Sequence, residues 1–436
     1  MGKVSLVSLG CPKNRVDSDN LLDNLRKEGF LFTPEPEEAD IVFINTCGFI
    51  EEAKRESIEE ILKLKKLKSH GKKLVVFGCL AERYRNELRK EIPEIDGLWG
   101  VGEDDEIVEY CKKIAHRTST VKGQNMRKSR RSQAPGGGLL THPYAYLKIA
   151  DGCNRGCTFC VIPAIRGPFK SSEPDRILRK TEEYIRSGMK ELILVAQDIA
   201  NYGKELKGYS LPSLLRDIAS VSGDFWIRLL YLYPTAITDE LLSVVAGEDK
   251  VCKYLDIPLQ HSEDKILKAM GRSGTRQRYV QEIQKIREAI PDVTLRTTCI
   301  VGFPGETDED FDGLKRFVEE MRFERLGVFT YSREEGTPAY GMKGNVRKGI
   351  KDRRRDEILR IQSHVSLDKN RALVGRRFRA LVDEVEGGVA VARLSSQAPE
   401  IDGVLFIEDG TVKKGEFVCV QIQDAYDYDL KGEVIR

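Results

Sequence analysis

Residues 153–160, Cys-Asn-Arg-Gly-Cys-Thr-Phe-Cys, put three thiols on one short loop directly after the strand-like run 144–149. Three thiolates at C-x3-C-x2-C spacing can hold a 4Fe–4S cube by three of its irons, leaving the fourth open to a small chelating molecule. Zinc is the alternative, since Cys157-Thr-Phe-Cys160 is also a C-x2-C pair. A structural zinc needs four closed ligands. The next cysteine is Cys252, and the five histidines (70, 116, 142, 261 and 364) offer no paired spacing nearby. Ligand count favours the cube.

Strand and helix patterns alternate on both sides of this loop. In the first 115 residues, apolar runs at 4–9, 41–44 and 74–77 are separated by helical patterns near 21–28, 50–67 and 81–91. Such alternation predicts a parallel, doubly wound α/β domain over residues 1–117. A basic stretch with Arg127, Lys128, Arg130 and Arg131, then Gly136–Gly138, predicts a linker over 118–142, either a solvated connector or a contact for RNA phosphates. Six further strand candidates follow, at 144–149, 192–195, 226–230, 254–257, 295–301 and 327–331. With helical patterns between them they predict a partial (β/α)6 barrel over 143–367, its site built from loops at the strand C-termini. A charged helix near 348–371 leads out of it. From 368 to 436 the pattern becomes short β runs with Gly and Asp turns, a small all-β barrel.

Each strand of the first domain ends in a cysteine: Cys11 after Leu9-Gly10, Cys47 after Asn45-Thr46, Cys79 after Phe77-Gly78. One buried cysteine is more often a small core hydrophobe. Three strand ends on one edge of a parallel sheet are where ligands bind. Cys11, Cys47 and Cys79 are therefore read as ligands of a second 4Fe–4S cluster with one open iron. Cys111, Cys252, Cys299 and Cys419 are read as structural. Ten cysteines without a secretion signal, and no 18-residue apolar run, point to the reducing cytosol and argue against a membrane span.

The C-x3-C-x2-C loop resembles that of the radical S-adenosylmethionine superfamily, in which the open iron is chelated by the methionyl group of the cofactor. The full order of parts, ending in a TRAM barrel, resembles the methylthiotransferase family. Ser8-Leu9-Gly10-Cys11-Pro12-Lys13-Asn14, Asn45-Thr46-Cys47-Gly48-Phe49-Ile50, Asp256-Ile257-Pro258-Leu259-Gln260-His261 and Ala398-Pro399-Glu400-Ile401-Asp402-Gly403 resemble the branch that modifies a ribosomal protein. That resemblance implies methylthiolation of the β-carbon of an aspartate in small-subunit ribosomal protein twelve. It also implies two 4Fe–4S clusters, S-adenosylmethionine as radical source and methyl donor, and a reductant protein of unknown identity. Two departures stand out: Lys170-Ser171-Ser172 follows Arg166-Gly167 where Ser-Arg is usual, and Lys431 follows Leu430 where tryptophan is common.

Lesser constellations surround the central loop. Phe159 resembles the aromatic near the adenine in this superfamily. Gly302-Phe303-Pro304-Gly305-Glu306-Thr307 follows the fifth strand of the central domain, either against the adenosine, through Gly302 and Gly305, or as a plain glycine turn. Gln197 faces the methionyl end or caps a loop with Asp198. Arg228 meets the cofactor carboxylate or pairs with an acidic neighbour. In residues 376–436, twelve acidic residues outnumber eight basic ones. An acidic barrel suits a basic protein better than phosphate, so Glu400, Asp402, Asp427 and Asp429 are expected to contact the ribosomal protein. Nucleic acid is not expected as the primary target, although a tRNA adenosine methylthiotransferase has the same fold. A non-catalytic iron–sulfur carrier is the reading from another class, but carriers usually close each cluster with four cysteines.

Overall fold

The structure, a computed structural model, describes residues 2–121 and 142–435. It divides into two compact units. One takes the described residues of Met1–Thr141 together with Cys160–Pro168 and Arg333–Glu335; the other takes His142–Phe159, Phe169–Ser332 and Gly336–Arg436.

In the first unit, β1 (Lys3–Ser8), β2 (Leu31–Phe32), β3 (Ile41–Thr46), β4 (Lys73–Gly78) and β5 (Gly97–Leu98) form one parallel sheet. Strands β2 and β5 escape sequence reading because two residues carry no alternation. Helices cover both faces, so the strands are near-continuous apolar runs: Phe43 and Phe77 pack with Leu21 and Leu25 on one side, Val42, Ile44 and Val76 with Ile61 on the other. Helix Pro12–Lys27 begins immediately after Cys11, well before the apolar pattern starting at Leu21. Proline at the first helical position is preorganised for that start, while Leu21, Leu22 and Leu25 mark only the deeply buried half. The expected helix 81–91 is two, Cys79–Arg83 and Arg85–Glu91, broken at Tyr84. Helix Asp104–Val121 runs into the stretch read as linker; residues 122–141 of that stretch lie outside the described residues.

The strand order is β2-β1-β3-β4-β5. Such a sheet reverses direction between β1 and β3, and ligands bind outside the carboxyl ends of the strands at that point. Cys11 and Cys47 follow those two strands.

In the second unit, β6 (Tyr144–Lys148) precedes a small antiparallel pair, β7 (Ala150–Asp151) and β8 (Lys170–Ser171). Then come β9 (Glu191–Val195), β10 (Trp226–Leu229), β11 (Val251–Asp256), β12 (Thr294–Val301) and β13 (Arg325–Thr330). With β6 they form an open, all-parallel sheet, β13-β12-β11-β10-β9-β6, as the six-strand expectation required. A closed barrel follows: β14 (Arg377–Glu386), β15 (Val389–Leu394), β16 (Leu405–Ile407), β17 (Phe417–Ala425) and β18 (Leu430–Val434). Strand β18 is the one the sequence pattern missed, because Gly432 occupies an inward position and carries no apolar signal.

Candidate iron–sulfur sites

Cys11, Cys47 and Cys79 converge at the carboxyl edge of the first sheet. Each lies at a strand-to-helix turn: Cys11 caps helix Pro12–Lys27 and Cys79 opens helix Cys79–Arg83. Glycine makes this approach possible. Gly10 has φ +88°, and a Cβ there would lie 2.6 Å from Cys47 Cβ and 2.9 Å from its Sγ. A side chain at Gly48 would meet Leu80 Cα at 2.8 Å and the Cys79 carbonyl at 2.9 Å.

Asn14 clamps the three turns. Its Nδ2 donates to the Leu9 carbonyl at 3.0 Å and the Thr46 carbonyl at 3.1 Å. Its Oδ1 accepts from Cys79 Sγ at 3.5 Å. Asn45 Nδ2 in turn donates to the Asn14 carbonyl at 2.7 Å and Ser18 Oγ at 3.0 Å. Ser57 Oγ accepts from the Cys47 backbone N–H and donates to its carbonyl, both at 3.0 Å.

Arg166 completes the site from far along the chain. Val161 and Ile165 pack against Cys79, which brings the Arg166 guanidinium to 2.8 Å from Asn14 Oδ1, 2.9 Å from Asp17 Oδ2 and 3.5 Å from Cys79 Sγ. Burial pushes the Cys79 thiol up to about 12, against the pull of Arg166. Burial raises Cys47 as well, with the neighbouring Cys11 adding to it. The glycine cradle thus gathers two buried thiols, Cys47 and Cys79, and one partly exposed thiol, Cys11; thiolates of this kind are the ligands that iron–sulfur clusters take.

The second cysteine loop is seated on neighbouring turns of its own unit. Thr158 N–H donates to the Met270 carbonyl at 2.9 Å and Thr158 Oγ1 to the Ala269 carbonyl at 2.8 Å. Gly271, at φ +66°, lies so close that a Cβ would fall 2.3 Å from the Gly156 carbonyl oxygen. Cys153 Sγ accepts from the Arg155 backbone N–H at 3.4 Å, and Cys157 Sγ accepts from Arg272 Nη1 at 3.8 Å. The Tyr233 ring meets both guanidinium groups, 3.8 Å from that of Arg155 and 4.5 Å from that of Arg272. Asp198 fixes Arg155 by accepting from Nε at 2.9 Å. Burial raises the Cys153 thiol, and Cys157 adds to it. Cys160 opens the short segment that packs with the first unit.

Other expected residues divide. Phe159 packs with Ile266, Met270, Phe303 and Tyr331, which places it against the 302–307 loop. Thr307 and Asp310 form the capping box of helix Asp308–Met321. Gly305 has φ +84° and open space beside its Cα. Gly302 has φ +74°, and a Cβ there would strike Lys351 Cγ at 2.3 Å, so its bare Cα accommodates a lysine stem. Gln197 Nε2 donates to Asp151 Oδ1 at 3.2 Å, while its Oε1 is buried with no hydrogen-bond partner among the described residues.

Arg228 is corrected. It is fully buried and donates from Nε to Glu191 Oε1 at 2.5 Å and from Nη1 to the Ser395 carbonyl at 2.8 Å. Glu191 starts β9, so this pair lies toward the amino ends of the strands, away from the cysteine loop. Asp402 is also corrected, because its side chain is buried and accepts from Tyr254 of the central sheet at 2.7 Å; Glu400 accepts from Tyr144 at 2.7 Å and stays an exposed residue. Asp429 accepts from the Val404 N–H at 2.8 Å and serves a turn. Asp427 stays exposed while accepting from Ser363 Oγ at 2.5 Å. Cys419, read as structural, is exposed on β17, whereas Cys111, Cys252 and Cys299 are buried.

Sequence reasoning gave no role to Asn14, Ser57 or Arg272. Gln260 had a readable trace in the Pro-Leu-Gln-His run, and the structure holds it at φ +75° with Oε1 buried and unpartnered among the described residues. A non-glycine residue held in that region is a pointer to function.

Residues 3–100 match the uncharacterized protein family UPF0004, residues 147–318 the radical SAM superfamily, and residues 374–435 the TRAM domain. The chain is 51% identical over 436 residues to the ribosomal protein uS12 methylthiotransferase RimO of Thermodesulfovibrio yellowstonii, covering 100% of both chains. Its identity to the protein of that name in Thermoanaerobacter is 46% over 440 residues, 99% of this chain and 100% of the other. Among solved structures, the radical S-adenosylmethionine methyltransferase TsrM of Kitasatospora setae superposes with a TM-score of 0.57, covering 90% of this chain and 81% of that one. At 14% identity that likeness shows the fold alone.

Proposed function

The chain belongs to the RimO family of ribosomal protein uS12 methylthiotransferases, and from that premise we propose that its six strand-end and loop cysteines hold two 4Fe–4S clusters. Cys11, Cys47 and Cys79 hold one; Cys153, Cys157 and Cys160 hold the other, where S-adenosylmethionine binds. The enzyme is a radical S-adenosylmethionine methylthiotransferase. Its target is the β-carbon of an aspartate in uS12.

The observation that carries this reading is the convergence of three strand-end cysteines on the carboxyl edge of a parallel sheet, two of them at its switch point, in a chain that also bears the C-x3-C-x2-C loop. When bound, the clusters and S-adenosylmethionine supply the radical and sulfur chemistry that an unactivated C–H bond demands. The chain's own residues position and shield. Asn14 and the glycine turns fix three sulfurs; Asp198 and Tyr233 fix Arg155 beside Cys153; Thr158 ties the second loop to the Met270 turn. Burial raises the Cys47, Cys79 and Cys153 thiols, and a thiol gives up its proton on becoming a metal ligand, so loading these sites is favoured by rising pH.

The basic partner is met by carboxylates that remain exposed on the C-terminal barrel, Asp424 and Asp427 among them. An electron-donor protein, a cytoplasmic setting and a division at 1–117, 118–142, 143–367 and 368–436 belong to the same proposal. No helix among the described residues is long and apolar enough to cross a membrane.

Mass spectrometry of uS12 and of tRNA after incubation with cluster-loaded enzyme, S-adenosylmethionine and dithionite tests the reading. One methylthio group gained on the uS12 aspartate is the expected result. A gain on tRNA adenosine with uS12 unchanged would replace it. Failure to cleave S-adenosylmethionine under reduction would leave an iron–sulfur carrier.

A further inference from the structure

Arg166 is six residues past Cys160, on the five-residue helix Ile162–Arg166. Gly167, at φ +69°, turns the chain away immediately afterwards. The Arg166 side chain is only 1% exposed. A guanidinium is seldom buried so completely unless something nearby calls for its charge. The segment that ends the second cysteine motif thus delivers a buried cation to the first cysteine triad.

We propose that Arg166 is a positioning residue of the Cys11–Cys47–Cys79 site: it holds the Cys79 sulfur by a charge-assisted hydrogen bond and favours the reduced state of the 4Fe–4S cluster bound there. The proposal rests on the assignment of these cysteines as cluster ligands. In a cluster held by three thiolates, each sulfur carries negative charge, and one-electron reduction adds another. Net charge and hydrogen bonds to sulfur are among the terms that set such potentials. A guanidinium 3.5 Å from Cys79 Sγ stabilises that added charge in a site shielded from water.

Asp17 tempers the effect. Its Oδ2 is 2.9 Å from Arg166 Nη2 and its side chain is 17% exposed, so part of the guanidinium charge is already neutralised. Removing the arginine and removing the aspartate therefore act in opposite directions. A purely mechanical brace between helices Ile162–Arg166 and Pro12–Lys27 has no such signature: losing either partner loosens the brace in the same sense.

The test uses the full chain with Cys153→Ala, Cys157→Ala and Cys160→Ala, so that a single cluster is observed. Arg166→Met, Arg166→Lys and Asp17→Asn are added to it singly. After anaerobic reconstitution, iron and sulfide are assayed and the cluster is titrated with dithionite under EPR. Arg166→Met is expected to disfavour reduction at least tenfold, about 59 mV for one electron. Arg166→Lys should recover more than half of that shift, and Asp17→Asn should favour reduction by at least threefold. An Arg166→Met protein with full iron content and a reduction equilibrium within twofold of its parent overturns the proposal. Where Arg166→Met fails to retain iron, Asp17→Asn decides, and the absence of a shift toward reduction overturns it equally. A parent that binds no iron refutes the ligand assignment itself, and the role of Arg166 falls with it.

Discussion

Glu191 is fully buried at the start of β9, between two arginines: Arg228 Nε of β10 at 2.5 Å and Arg393 Nη2 of β15 at 2.7 Å. Arg393 also pairs with Asp383, so Glu191→Gln leaves Arg228 as the cation without a carboxylate. At separations near 3 Å and an effective dielectric of about 20, one such pair is worth roughly 5 kcal/mol of gross attraction. Desolvation offsets much of this in the intact protein, but the offset is not recovered when one partner goes and a charge stays buried. Losses of about 3–5 kcal/mol are typical of that change. Arg228 keeps the Ser395 carbonyl and the face of Tyr254, which points to the lower end, about 3 kcal/mol. Trp226 is well placed to read the change, its ring 4.9 Å from that of Phe417 in the C-terminal barrel. In a Trp99→Phe background it is the one remaining tryptophan of two. Urea unfolding followed by its fluorescence is expected to show the Gln variant destabilised by about 3 kcal/mol. A difference under about 0.5 kcal/mol, the scale of an ordinary surface substitution, would refute the reasoning. Acid titration adds a second readout. Burial alone would raise the Glu191 carboxyl, but Arg228 and Arg393 together hold it below the usual range. Its contribution is therefore complete above the ordinary glutamate value of about 4.3 and fades as pH falls through the lower folded value. The Gln variant should lack that acid-side step.

Gly10→Ala places a Cβ against Cys47 and demands φ +88° of an L-residue, a backbone cost of about 1–2 kcal/mol before any clash; it should lose roughly half of the bound iron. That variant is expected to retain S-adenosylmethionine cleavage and give no methylthiolated uS12, and full iron content would count against the cradle. Cys157→Ala should retain the first cluster yet abolish 5′-deoxyadenosine formation, measured by liquid chromatography, and cleavage at the normal rate would remove Cys157 from the ligand set.

The sequence alone determined what local pattern and topology rules carry. Apolar runs separated by helices specified two parallel sheets, and the β runs after residue 368 specified the final barrel. The 153–160 spacing fixed three thiols on one loop. The convergence of Cys11, Cys47 and Cys79 was legible because strand ends of a parallel sheet share an edge, whatever the sequence distance between them. Only tertiary structure decided which charged side chains serve those sulfurs and which serve packing. Arg166 meets Cys79 across 87 residues of chain, and Tyr144 meets Glu400 across 256. Nothing in the periodicity of either segment encodes such a pair. Arg228 shows the same limit: its sequence position allowed a cofactor contact or an ion pair. Packing of β15 and the following turn against the central sheet brought Arg393 and the Ser395 carbonyl to it and closed the choice. Periodicity reports which face of an element is buried; the partner across that face is set by how separate elements pack, because hydrogen bonds and ion pairs act over a few ångströms of space rather than along the chain.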